Sequence, residues 1–66
     1  MEDIDIWRTA TLLIREHGEE AGYVAFGRAE DRCAKNDVLG VEAWLRIGRA
    51  IEELERKKPR EGEALN

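Results

Sequence analysis

Residues 22–29 read GYVAFGRA, and how this stretch is wound decides the fold. Gly22 and Gly27 have the spacing of the phosphate-binding loop G-x-x-x-x-G-K-[ST], with Arg28 and Ala29 where that loop needs lysine and a hydroxyl. Such a loop follows a buried strand and opens a helix; its lysine reaches the phosphates and its hydroxyl holds magnesium. No strand-period segment precedes residue 22, and 66 residues are too few for the α/β domain that such a loop serves. Wound as a helix, the two glycines fall about 140° apart around the axis and cannot line one cradle. The stretch therefore reads as helix, with no nucleotide and no other cofactor implied. Gly22 is expected to turn inward among alanines, where a missing side chain lets a neighbouring helix approach. Gly27 turns outward, where a helix-interior glycine costs about 1 kcal/mol relative to alanine.

Working outward, the helix carrying this stretch is predicted over residues 19–35. Glu19 and Glu20 stand in its first turn, where the helix dipole favours anions. Its inward arc is Ala21, Gly22, Ala25, Phe26, Ala29 and Cys33, mostly small residues, so the bulk of the core must come from neighbours. Trp7 and Trp44 are the obvious donors and are expected in the core, as is Cys33.

Upstream, residues 3–17 repeat apolar positions at helical spacing: Ile6, Trp7, Ala10, Leu13, Ile14 and His17 share one arc. Asp3 is a fair N-cap, and Gly18 a fair left-handed residue at the end. Downstream, "AKNDVLG" (34–40) makes a short turn, with Asn36 in the left-handed position and Asp37 capping the next helix. That third helix is predicted over 38–58, with Val41, Trp44, Ile47, Gly48, Ile51 and Leu54 as its main stripe. Glu42–Arg46, Glu52–Arg56 and Glu53–Lys57 have the favourable i,i+4 order. Pro59, the only proline, ends the helix, and 59–66 reads as a flexible tail. The expected architecture is all-α: a three-helix assembly (about 3–17, 19–35, 38–58), one domain over 1–58, and a disordered tail. A core this short is marginal alone, which makes a homodimer a natural expectation.

Composition narrows function by exclusion. With 11 basic and 15 acidic side chains the net charge is −4, a balance that disfavours nucleic acid and anionic membrane as partners. No apolar run approaches the ~20 residues of a spanning helix. The acidic start, MEDIDIW, is unlike the basic start of a signal peptide, and the lone Cys33 fits a reducing compartment, so a cytoplasmic protein is expected. Serine is absent, which removes the commonest hydrolase nucleophile. His17, the only histidine, has Glu16, Glu20 and Cys33 as conceivable companions for acid–base or metal chemistry, but no spacing selects them. Its position favours ending a helix, imidazole towards the last carbonyls.

The pattern also resembles a group of short helical alphaproteobacterial proteins known as a domain of unknown function. The resemblance runs over residues 6–54 and rests on Trp7, Ala10, "HG" at 17–18, Ala25, "RA" at 28–29, "NDVLGVEAW" at 36–44 and "RIGRAIEEL" at 46–54. A Gly-Asp turn is expected in that group where this chain has Asn36–Asp37. The resemblance implies a helical fold and brings no activity, substrate or cofactor.

Two functional readings result. The first is a non-enzymatic protein–protein interaction module, an adaptor or accessory subunit. Leu12, on the polar side of its helix, and Tyr23, Val24 and Gly27, on the outer side of the next, form the candidate partner surface. The alternative is a small nucleic-acid-associated regulator using Arg46, Arg49 and the basic cluster Arg56, Lys57, Lys58 and Arg60.

Overall fold

The computed structural model describes residues 3–57, and every one of them is helical except Lys35, Asn36 and Asp37. α1 spans Asp3–His17, α2 Ala21–Ala34 and α3 Val38–Lys57, with a single 3-10 turn, Gly18–Glu20, between α1 and α2. The chain is all-α, as the periodicity predicts. Because the 3-10 turn leaves no non-helical residue between α1 and α2, the described chain is helical in two uninterrupted runs, 3–34 and 38–57. Residue 58 and the tail at 59–66 lie outside the described residues.

Two left-handed residues redirect the chain. Gly18 has φ +57°, which costs glycine nothing and an L side chain about 1–2 kcal/mol. Asn36 has φ +60°, the left-handed conformation that asparagine tolerates best after glycine. Around Asn36 the backbone closes a complete Schellman motif. Its N–H donates to the Cys33 carbonyl at 3.0 Å, and the Asp37 N–H donates to the Arg32 carbonyl at 2.9 Å. Asp37 then opens α3: its Oδ1 accepts from the Gly40 N–H at 3.0 Å, while its own carbonyl accepts from the Val41 N–H at 2.9 Å. One aspartate thus closes one helix and caps the next.

Other local expectations need correcting. The second helix is shorter than 19–35 at both ends: Glu19 and Glu20 belong to the 3-10 turn by which α1 passes into α2, and the Schellman motif takes Lys35 out of the helix. Asp3 lies inside α1 as its first residue instead of capping it. Arg56 pairs with Glu53 at 3.5 Å and not with Glu52, whereas Glu42–Arg46 forms as expected at 3.1 Å.

The core draws on every helix. Ile6, Ala10 and Leu13 of α1 meet Ala21 and Ala25 of α2 and Ile47, Ala50 and Ile51 of α3, with Ile14, Val24, Trp44 and Leu54 packed against them. Among the described residues, five of the nine buried hydrophobics are alanines, so the core is thin and its apolar mass rests on Ile6, Leu13, Ile47 and Ile51. Each of those four contributes about 1.5–3 kcal/mol by burial.

The close approach between α2 and α3 is made at Gly48, not Gly22. A Cβ built on Gly48 would sit 2.7 Å from the Phe26 ring, so the ring occupies the space that a side chain would need. A Cβ on Gly22 meets nothing within 4 Å. The expectation that Gly22 serves close packing is therefore wrong, because its missing side chain faces open space. Trp44 is half-buried with the Arg28 guanidinium 5.6 Å from its ring centre, a cation–π contact tying α2 to α3.

Candidate functional site

The thin core leaves large apolar side chains in water. On α1, Ile4, Trp7 and Leu12 are exposed; on α3, Val38, Leu39 and Leu45 are; on α2, Tyr23 is 82% exposed. At about 100° per residue, Ile4, Arg8, Thr11, Leu12 and Arg15 share one arc of α1 away from the buried Ile6, Ala10 and Leu13, with Trp7 at the edge between the two faces. That helix therefore carries a second apolar stripe, facing away from the core. The Thr11 hydroxyl donates to the Trp7 carbonyl at 2.9 Å, so the helix's own backbone satisfies the polar atom of this stripe.

Three shallow grooves connect these side chains. Trp7, Thr11 and Leu12 line one on α1, flanked by Arg8 and Arg15. A second, of about 550 Å³, lies between α1 and α3, where Ile6 and Trp7 meet Arg46, Arg49 and Ala50. A third runs along α3 from Val38 and Val41 to Leu45, and Arg46 and Arg49 border it too. Trp7 joins the first groove to the second, and the two arginines join the second to the third. The groove beside Leu12 and the groove lined by Ile6 open on different sides of α1, with Trp7 as the ridge between them. The first-turn residues of α3 stand out because α1 begins beside Arg46–Glu53, leaving the first two turns of α3 beyond that contact.

Charge is distributed unevenly around these grooves. Among the described residues, Arg8, Arg15 and Arg49 have no ion-pair partner, while Arg46 holds Glu42. Acidic groups at the edge are Asp3, Glu42 and Glu53, and Glu53 is engaged by Arg56. A chain of net charge −4 thus presents uncompensated guanidinium groups beside its exposed apolar side chains.

The residues singled out from sequence divide. Leu12 is exposed as expected, and so are Tyr23 and Gly27, whose Cβ position is open. Val24 is not on the outer surface: it is half-buried against the core, because α2 turns that side towards its neighbours. The groove lined by Leu12 is shared with Trp7 and two arginines and does not include Tyr23 or Gly27, so the four residues do not form one patch. The candidate nucleic-acid residues also separate. Arg46 and Arg49 share two grooves, whereas Arg56 lines another among the carboxylates Glu19, Glu52 and Glu55. The side chain of Lys57, and Lys58 and Arg60 entirely, lie outside the described residues.

Two more expectations fail on exposure. Cys33 is exposed, because α2 rotates it past the face that Ala21, Ala25 and Ala29 present inward. Trp7 is 40% exposed, lying at the margin of the buried face. His17, expected to end its helix, is the last residue of α1 and is exposed there. The candidate surface drawn from sequence leaves out Ile4, Val38, Leu39 and Leu45, although all four fall outside the main apolar arcs of their helices. Val38 and Leu39 carry a legible signal all the same: they directly follow the N-cap Asp37, where no earlier turn shields them.

Among the described residues, no three histidine, cysteine, aspartate or glutamate side chains converge to hold a metal ion, and no helix is long and apolar enough to cross a membrane. No family model, curated protein or solved structure matches this chain, so no residue here inherits a role from a relative.

Proposed function

We propose that this chain is a non-enzymatic helical protein–protein interaction module, an adaptor or accessory subunit whose three helices act as one unit. The observation that carries the reading is the inversion of apolar mass. Alanines fill much of the core, while two leucines, a tryptophan and further aliphatic side chains line outward-facing grooves on α1 and α3. Exposed apolar side chains gathered in grooves and rimmed by charge are what a partner covers. The occupant is a second helical chain, either a copy of this one or a different protein.

The test replaces Leu12 and Leu45 with glutamate and compares affinity purification of the two forms from their native cellular background. Partners recovered by the unaltered chain should be lost with the double variant at unchanged helicity; equal recovery would sink the assignment. Nucleic acid is the weaker reading, since Arg46 is paired and Arg56 stands among carboxylates. It predicts salt-dependent retention on heparin, and passage straight through at low salt would remove it.

A further inference from the structure

One groove is lined by α3 alone, and its side chains answer their own order when that order is reversed. We propose that the chain pairs with a second copy of itself, α3 against α3 in antiparallel orientation, across Val38, Val41 and Leu45. This rests on the interaction-module reading and names its occupant.

Val38, Val41 and Leu45 stand at i, i+3 and i+7 and line a single groove with Glu42, Arg46 and Arg49. At about 100° per residue they form one stripe of α3, turned away from the buried Ile47, Ala50 and Ile51. Val38 is 74% exposed, because α1 begins only beside Arg46–Glu53 and leaves the first two turns of α3 free. An apolar stripe at this spacing on one helix fits the same stripe on another.

Charge selects the copy. Along the groove the charged side chains are Glu42, then Arg46 and Arg49, so a uniformly acidic or basic partner leaves one sign unanswered. A twofold interface sets residue i against j and j against i. Glu42 and Arg46 lie two residues either side of Trp44. A twofold axis at the level of Trp44 therefore sets each Glu42 level with Arg46 of the second copy. Arg49 of that copy follows about 4.5 Å further along the axis, and it has no ion pair in its own chain among the described residues. In the same register Leu45 enters between Val41 and Leu45 of the second copy. A parallel pairing in register sets glutamate against glutamate and arginine against arginine, which disfavours it. Within one chain Glu42 and Arg46 pair at 3.1 Å on an exposed surface, where such a pair contributes little; across the axis the two pairs join.

Three apolar side chains per copy make a small interface, so the pairing is weak, with a dissociation constant on the order of 100 μM, and the fold does not depend on it. The net charge of −4 on each copy opposes the encounter at long range, where salt screens it.

The experiment is sedimentation equilibrium of the full chain from about 10 μM to about 1 mM. The average mass should climb from monomer towards dimer, and a Leu45→Glu form should stay monomeric. A Glu42→Arg form and an Arg46→Glu/Arg49→Glu form should each associate at least about tenfold more weakly than the unaltered chain, whereas an equimolar mixture of the two should associate again. A chain monomeric at about 1 mM overturns the pairing, and so does a dimer indifferent to Leu45→Glu and to the charge exchange. If self-association is absent but a different protein is still lost from the Leu45→Glu form in affinity purification, the second copy falls and the module reading stands. If neither is seen, both fall.

Discussion

Asn36 and Gly48 show how much single residues decide here. The Schellman motif needs φ +60° at Asn36, so Asn36→Gly should leave stability equal or slightly higher, while Asn36→Ala should cost about 1 kcal/mol in urea unfolding. Asp37→Ala removes the side-chain acceptor of the Gly40 N–H and should cost about 0.5–2 kcal/mol by the same measurement. The glycines of α2 and α3 divide by the space beside them. Gly27→Ala places a methyl in open surroundings and should raise stability by up to about 1 kcal/mol. Gly48→Ala drives a methyl into the Phe26 ring and should lower it by about 1 kcal/mol net, since overpacking of about 1–3 kcal/mol outweighs the gain in helix propensity. Exposed Cys33 should react with a thiol reagent in the native protein as fast as in denaturant; a large protection factor would contradict its position.

At the scale of the elements, helix existence and turn chemistry were legible because both are local. Asn36 and Asp37 identify a left-handed stop and an N-cap by residue type alone, and both take those roles. Gly18 is likewise left-handed, but the 3-10 turn after it was not legible: whether two glutamates start an α-helix or a tighter turn depends on how α1 and α2 meet. Facing was legible only in part. The small-residue row Ala21, Ala25 and Ala29 is buried as its spacing implies, yet Cys33 and Trp7, at the edges of their arcs, are exposed, and Val24 is half-buried. Periodicity fixes an angle around one helix axis, whereas burial at the margin depends on where the neighbour crosses. The candidate surface suffered most from this. Leu12 could be picked out alone, but the groove that brings Trp7 beside Arg46 and Arg49 exists only once α1 lies across α3. Truncation of the buried stripe should show which face holds the elements together: Ile47→Ala should cost about 2–5 kcal/mol.

For the whole molecule, the thin core and the apolar exterior are two sides of one allocation. Short, alanine-rich packing leaves little stability in reserve, and side chains that could have enlarged the core stand on the outer surface of α1 and α3 instead. The central claim is that this face is surplus to the fold and available to a partner. Urea unfolding of the Leu12→Glu/Leu45→Glu double variant, run at two protein concentrations, tests it most directly. The account predicts a stability within about 1 kcal/mol of the unaltered chain and a midpoint independent of concentration. A loss of more than about 3 kcal/mol, the size seen on removing buried leucines, would mean that the two side chains belong to a core and would contradict the account.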